Sequence, residues 1–424
     1  MPLFAKGVPL PFQKGAALTR PIETLPAQQP LRVPLTRLAE DGSEHPDILL
    51  PEEVLPAGTV LYQEKDIPSL APVAGQCEGT VVLDHPLCGR ILCAEWQPTE
   101  EPIREVLLPA NEADKLTVND VLSAARDAAI VDELDGLLLI DKLHVWHDRL
   151  KRASRRQRPV VVADATENDV FGSSAWAALR EDPRKAFFGL HLIASTLGVK
   201  RYHIAAVLPK ADARAVSQAI GRNHLYRVPD EYPVTEYAEY GRTVLRVGVQ
   251  ACMALADAVQ TGRKATGLVV SVTGDGVPAS MNVRVPYGTT VDTLLKYAKA
   301  LSETEVYFGD NMTGILCTDT RLPILPGMTT LLVLRPRTAR VPQPCIGCGR
   351  CAAACPAGLL PYEIVRRLEN MHYERLQHLS PQDCDGCGIC SYVCPAGRNV
   401  AAEVLRAGEE DHATLIHWGG DDRE

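Results

Sequence analysis

The sequence predicts a multidomain chain of the α/β class. Three observations carry that prediction. Strand and helix patterns alternate between about residues 115 and 255, short apolar runs broken by prolines fill the first hundred residues, and eight of the thirteen cysteines fall near the end in two copies of one spacing. At 424 residues there is room for about three domains or more, at roughly 150 residues each. The composition, 46% hydrophobic and 23% charged, is that of a globular protein able to bury a core. A net charge of -9 argues against nucleic acid as the main partner, because proteins that bind it carry basic surfaces. Met1-Pro2-Leu3-Phe4-Ala5-Lys6-Gly7 lacks the apolar stretch of a signal peptide. No run approaches the ~18 apolar residues of a membrane span. The expectation is a cytoplasmic protein with no span of its own, peripheral to a membrane complex only through a partner.

Residues 30–105 read as a small β domain. Ile48-Leu49-Leu50, Thr59-Val60-Leu61-Tyr62, Gly79-Thr80-Val81-Val82-Leu83 and Ile91-Leu92-Cys93 are short apolar runs, punctuated by Pro56-Ala57-Gly58, Pro72 and Gly75. The string LPAGTVLYQEKDIPSLAPVAGQCEGTVV resembles a biotinyl/lipoyl-type barrel-sandwich hybrid. A carrier of that type presents a lysine at its central hairpin tip. The equivalent stretch, Ala74-Gly75-Gln76-Cys77, has none, so a docking or structural module is expected. In residues 115–255 the runs Val160-Val161-Val162-Ala163 and Tyr202-His203-Ile204-Ala205-Ala206-Val207-Leu208 read as buried strands. Helical patterns at 175–179, 189–197 and 212–220 flank them, which predicts a parallel sheet. Residues 265–336 return to β character. Strands at 267–274 and 283–286, a helix at 290–299 and a closing strand at 331–335 follow the order of a β-grasp. In residues 341–405 Pro361 is placed to open a helix, with Ile364, Leu368 and Met371 on one face. A shorter helix is expected at 399–406, and residues 406–424 read as an acidic tail.

The two cysteine runs are Cys345-Ile346-Gly347-Cys348-Gly349-Arg350-Cys351-Ala352-Ala353-Ala354-Cys355-Pro356 and Cys384-Asp385-Gly386-Cys387-Gly388-Ile389-Cys390-Ser391-Tyr392-Val393-Cys394-Pro395. Both read C-x2-C-x2-C-x3-C-P, the run that holds [4Fe-4S] clusters in bacterial two-cluster ferredoxins, where the fourth cysteine ligates the other cluster. The expected first set is therefore Cys345, Cys348, Cys351 and Cys394. The second is Cys384, Cys387, Cys390 and Cys355. Gly347, Gly349, Gly386 and Gly388 let the backbone curl around a bulky inorganic core. Zinc sites are the first alternative, but zinc takes four ligands per site and is usually served by paired CxxC. A disulfide framework is the second, and nothing marks the chain as secreted. Two adjacent cubanes have one common use, the passage of single electrons.

The order of parts, with these motifs, resembles the RnfC family, the C subunits of Rnf complexes, over nearly the whole chain. The supporting stretches are GLVVSVTGDGVPASMNVRVPYGTTVDTLL, VYFGDNMTGILCTDTRLPILPGMTTLLVL and VPDEYPVTEY. The resemblance implies four units: an N-terminal barrel-sandwich, an α/β domain like the NADH-oxidising subunit of respiratory complex I, a soluble-ligand-binding (SLBB-like) β-grasp and a helical two-cluster ferredoxin module. Two departures stand out. The family's G-x-G-G-A-G-F-P loop brings backbone N–H groups to flavin phosphate and nicotinamide, an approach that needs residues without side chains. Here the matching stretch is Ala128-Ala129-Ile130-Val131-Asp132-Glu133-Leu134-Asp135-Gly136-Leu137, and Asp132, Glu133 and Asp135 put acid where phosphate would sit. The family's E-C-E-P-Y segment appears as Glu167-Asn168-Asp169-Val170-Phe171. These changes resemble the branch of electron-transfer proteins associated with proline reductase.

The resemblance therefore implies a carrier that passes electrons from a reduced donor, NADH-linked or ferredoxin, to a partner reductase such as proline reductase or to an Rnf-type complex. Its expected cofactors are two [4Fe-4S] clusters, with FMN and NADH disfavoured by the lost glycine loop. An FMN-binding NADH dehydrogenase component is the alternative from the enzyme class. A non-redox scaffold braced by its clusters is the structural one. Glu167 and Asp169 are candidates for a flavin or nicotinamide ribose, against a structural role at a strand end. Cys77 is a candidate redox thiol, with Cys88 and Cys93 near it in sequence, against a buried hydrophobe. Cys252 and Cys317 read as packing residues. Lys151, Arg152, Arg155, Arg156 and Arg158 form either a hydrated face or a dock for an acidic partner.

Overall fold

The computed structural model describes the chain from residue 8 to residue 409, except 9, 11–13, 15–16, 18–19, 27–28, 39–47, 49, 65–66, 101–103, 110–115, 153–158, 168–169, 229–231, 234–242, 339–340 and 373–375. The N-terminal β region is built on Leu31–Arg37, Gly75–His85 and Gly89–Pro98, an antiparallel sheet with the last strand in the middle. Leu31, Val33 and Leu35 are buried at alternate positions and pack with Leu92, Ala94 and Trp96, as a period of two requires. A second hairpin pairs Val60–Glu64 with Ile67–Leu70. Gly75 is needed where it stands: a Cβ there would lie 2.3 Å from the Gln97 carbonyl oxygen and 2.6 Å from the Trp96 ring nitrogen. Two expectations are corrected. Ile48 and Leu50 lie outside any strand, with Leu49 beyond the described residues. The Ala74-to-Cys77 stretch is no hairpin tip, because Gly75 opens the long strand and Cys77 lies within it. The turn between the two long strands falls instead at 86–88.

In the α/β region four parallel strands stand in the order Val244–Gly248, Val160–Ala165, Tyr202–Ala206 and Leu225–Arg227. Every residue of Val160–Ala165 is buried, the pattern of a strand covered on both faces. Helices Val118–Asp127, Leu139–Arg152, Ser174–Glu181, Pro183–Thr196, Lys210–Ile220 and Val249–Thr261 surround the sheet. The first is set by a capping box, Thr117 to Asp120. Pro183–Thr196 crosses Val249–Thr261 so closely that a Cβ on Gly189 would sit 1.8 Å from the Cys252 carbonyl oxygen. Cys252 is fully buried there and serves as packing. The strand order reverses between Val160–Ala165 and Val244–Gly248. Open parallel sheets offer their ligand crevice at such a switch point, beyond the carboxyl ends of the strands.

A mixed six-stranded sheet follows. Gly267–Thr273 and Met281–Pro286 form an antiparallel pair, Thr330–Leu334 runs parallel to the first of them, and Glu305–Phe308 continues the order beyond it. Helix Val291–Tyr297 begins at Thr290, whose side chain accepts from the Thr293 amide. Ser173, at the start of helix Ser174–Glu181, donates its amide to Ser271 Oγ at 2.8 Å, and its hydroxyl meets Asn282. These buried bonds fix the α/β region against the mixed sheet.

The C-terminal region is helical, with Pro361–Glu369 and Val400–Glu409 closing over a core of Ile364, Val365, Leu368, Leu376, Val404 and Ala407. Met371 does not belong to that face. It lies past the helix end with φ 54° and is 73% exposed. Residues 406–409, expected in the acidic tail, are helical, and 410–424 lie outside the described residues. Among the described residues no helix is long and apolar enough to cross a membrane.

Candidate iron–sulfur centre and the crevice of the α/β sheet

Each cysteine run curls into a loop and then a short helix, Arg350–Ala354 in the first and Ile389–Tyr392 in the second. Gly347, Gly349, Gly386 and Gly388 all have φ between 66° and 75°, a left-handed turn that side chains resist. The sets mix across the two runs. Cys345, Cys348, Cys351 and Cys394 line one cavity of about 1020 Å³. Cys355, Cys384, Cys387 and Cys390 line a narrower niche with Pro356 and Leu359. Among the described residues no three His, Cys, Asp or Glu side chains close on a point where a lone metal ion would sit. A donor set of four thiols around a cavity suits a polynuclear cluster better than zinc. Burial pushes the Cys390 thiol up to about 12 and Cys387 up to about 11, with neighbouring cysteines adding to the rise. Thiols so raised become anions when a metal takes the place of the proton.

The two halves differ in their surroundings. In the second loop, a Cβ on Gly388 would meet the Met312 carbonyl oxygen at 2.7 Å, and Tyr232 Oη donates to the Cys387 carbonyl at 2.5 Å. Tyr232, Met312 and Ile389 pack in one apolar cluster. In the first loop no described residue lies within 4 Å of a Cβ added at Gly347 or Gly349, and Cys345 and Cys348 are exposed. Arg398 stands beside this set. Its guanidinium pairs with Glu369, which raises its pKa, and Cys345 and Cys394 add to the rise. Sequence reasoning gave Tyr232, Met312 and Arg398 no role: Tyr232 and Met312 lie in stretches quoted only for the resemblance, and only the fold brings all three beside the cysteines.

At the switch point of the parallel sheet the chain's own acids hold the backbone donors. Glu133 accepts from the Gln250 amide at 2.6 Å and from the Ala251 amide at 2.9 Å, capping helix Val249–Thr261. Burial and the adjacent Asp132 push its carboxyl up to about 8, while the two N–H bonds oppose the rise. Asp132 accepts from the amides of Gly248 and Leu134 and is paired with buried Lys142, which also reaches Asp135 at 2.7 Å. Gly248 is required here, because a Cβ would lie 2.0 Å from the Glu133 carboxyl carbon. Across the crevice Glu167, at φ 41°, turns back to accept from the amides of Ala175 and Trp176 at 2.7 and 3.3 Å and from Ser174 Oγ at 3.1 Å. Arg246 is bound to Asp164.

A flavin or nicotinamide dinucleotide would need those helix N-termini for its phosphates. They carry carboxyl oxygens instead, and the residues do not fit such a group. Glu167 is thus a helix cap in this structure, and Asp169 lies outside the described residues. Cys77 is a half-buried strand residue whose thiol donates to the Gly79 carbonyl, and burial raises its pKa. That is the setting of a packing thiol rather than a nucleophile. Cys88 and Cys93 are raised the same way, Cys93 to about 12. Of the basic run, Lys151 and Arg152 are exposed at the end of helix Leu139–Arg152, and Arg155, Arg156 and Arg158 are outside the described residues.

Residues 344–398 match the family model described as 4Fe-4S dicluster domain. The chain binds two [4Fe-4S] clusters. It is 24% identical over 379 residues to the C subunit of the ion-translocating oxidoreductase complex of Rhodobacter capsulatus, an alignment that covers 82% of this chain and 71% of that one. Against the C subunit of the Na(+)-translocating ferredoxin:NAD(+) oxidoreductase complex of Acetobacterium woodii it is 25% identical over 257 residues, 54% of this chain and 58% of that one. The C subunit of the ion-translocating oxidoreductase complex of Pseudomonas aeruginosa is 32% identical over 194 residues, 44% of this chain and 24% of its own length. These low-identity matches make the chain similar to the C subunits of such complexes. Among solved structures, a chain of NAD+-reducing [NiFe]-hydrogenase in the air-oxidized state is similar over 69% of this chain and 61% of its own, at 14% identity and a TM-score of 0.43.

Proposed function

We propose that this protein is a one-electron carrier whose two [4Fe-4S] clusters pass electrons between a reduced donor and a partner reductase or Rnf-type complex. The observation that carries the reading is the crossed arrangement of the cysteines. Cys394 stands with the first run and Cys355 with the second, around two cavities joined by the short helix that bears Cys351. In this reading Cys345, Cys348, Cys351 and Cys394 hold the outer cluster, and Cys384, Cys387, Cys390 and Cys355 hold the inner one. The clusters supply the electron chemistry when bound. The side chains set burial, orientation and local charge. Tyr232 and Met312 anchor the inner loop, and Arg398 places positive charge beside the outer cysteines.

The donor is a one-electron carrier rather than NADH, because Glu133 and Glu167 take the backbone donors that a flavin phosphate would use. The N-terminal β region and the mixed sheet act as docking units in the barrel-sandwich and β-grasp roles. The acidic stretch Asp132-Glu133-Leu134-Asp135-Gly136 favours proline reductase as the partner within this class. Anaerobic purification followed by a visible spectrum tests the reading. Iron at about eight per chain, no flavin band and no bleaching on NADH addition are expected. A flavin band bleached by NADH would replace it with the dehydrogenase, and clusters that resist reduction would replace it with the scaffold.

A further inference from the structure

The two cluster loops are copies of one motif, yet their surfaces have opposite character. The second loop is pressed against Met312 and Tyr232, and Asp383 and Asp385 flank its first cysteine. Among the described residues nothing covers the first loop at Gly347 or Gly349. Ile346 is 71% exposed and Val341 77% exposed, a pair of large apolar side chains open to solvent. From Pro342 through Tyr362 the sequence carries Arg350 and neither Asp nor Glu, in a chain of net charge -9. Arg350, Arg366 and Arg398 line the cavity of the first cysteine set. Acids also face it: Glu369 pairs with Arg398, and Glu363 is held by both Arg366 and Arg367. The arginines outnumber them, so the rim is positive beside the apolar pair.

We propose that the loop 341–349, with Arg350 and Arg366 at its edge, is the docking face for an acidic one-electron carrier protein, and that electrons cross at the outer cluster. The inference rests on the proposed function and adds to it the face and the charge of the partner. One electron leaves the carrier's reduced cofactor and one enters the outer cluster; no bond forms and no proton moves. Complementary charge speeds such an encounter and makes it sensitive to salt. The acidic face of the second loop cannot serve this partner, since like charge opposes the approach.

Anaerobic stopped flow on the full-length holoprotein tests this, with reduced plant-type ferredoxin as the acidic probe. Arg350→Glu should lower the second-order rate about tenfold or more at low salt, and the difference should shrink as salt screens it. Arg366→Glu should do the same independently, and Arg350→Lys should restore most of the rate. Lys200→Glu, the same charge change at an exposed residue of the α/β region, should leave it unchanged. Iron content and the electron paramagnetic resonance of both clusters, checked in each variant, show that the cofactors are intact. Rates for both Arg350→Glu and Arg366→Glu within twofold of the parent, or a parent rate that rises with salt, would overturn the docking face while cluster reduction by methyl viologen keeps the carrier reading standing. Clusters that methyl viologen cannot reduce would sink the carrier reading and this face together.

Discussion

Glu133→Ala is the sharpest perturbation of the α/β region. The half-buried side chain accepts two backbone N–H bonds at the first turn of helix Val249–Thr261. Removing it orphans both donors, at about 1 to 1.5 kcal/mol each, and deletes one methylene at about 0.8 kcal/mol. Partial hydration of the freed amides offsets some of this, leaving about 3 kcal/mol. At about 1.4 kcal/mol per tenfold, amide protection across the helix should fall by roughly a hundredfold. Hydrogen exchange followed by mass spectrometry on the intact holoprotein reads that region alone, which matters in a chain with several cores. Protection unchanged within about threefold would refute the capping role and reopen the crevice to a phosphate.

Two further outcomes follow from the same geometry. The raised pKa of Glu133 means that the folded chain keeps a proton which the unfolded chain has lost between its ordinary value of 4.5 and about 8. Stability from this group is therefore full below pH 4.5, falls as pH rises to about 8 and is level beyond. Glu133→Gln should flatten that slope in urea midpoints taken from pH 5 to 9, and an unchanged difference between variant and parent would count against the assignment. Tyr232→Phe removes the hydroxyl that donates to the Cys387 carbonyl. It should cost about 1 kcal/mol and shift the resonance signal of the inner cluster only; a shift of the outer signal would contradict the placement.

Much of the site was legible because iron–sulfur ligation depends on local spacing. Three cysteines with two residues between each, one of them glycine, can close on a cubane whatever the rest of the chain does. The buried strand at 160–163 was legible for a similar reason, as four β-branched or small residues in a row suit a strand covered on both faces. Glu133 was readable as an acid where phosphate would sit and Glu167 as a candidate for a flavin or nicotinamide ribose, but neither as a helix cap. Their amide partners lie 117 and 8 residues away, and the first distance is set by the sheet topology alone. Met371 fitted the helical period, yet the helix stops at Glu369 and the chain turns into the left-handed region. The contrast between the outer loop and the inner one was equally hidden, since both runs have the same cysteine spacing and differ only in what the fold lays over them.

Cys394→Ser is the most direct probe of the crossed ligation. Iron and the electron paramagnetic resonance of the reduced, anaerobic protein should show loss or conversion of the same cluster that Cys345→Ser affects, with the other cluster untouched. Loss of the cluster that Cys384→Ser affects would mean that each run closes on itself, and the crossed pair would be wrong.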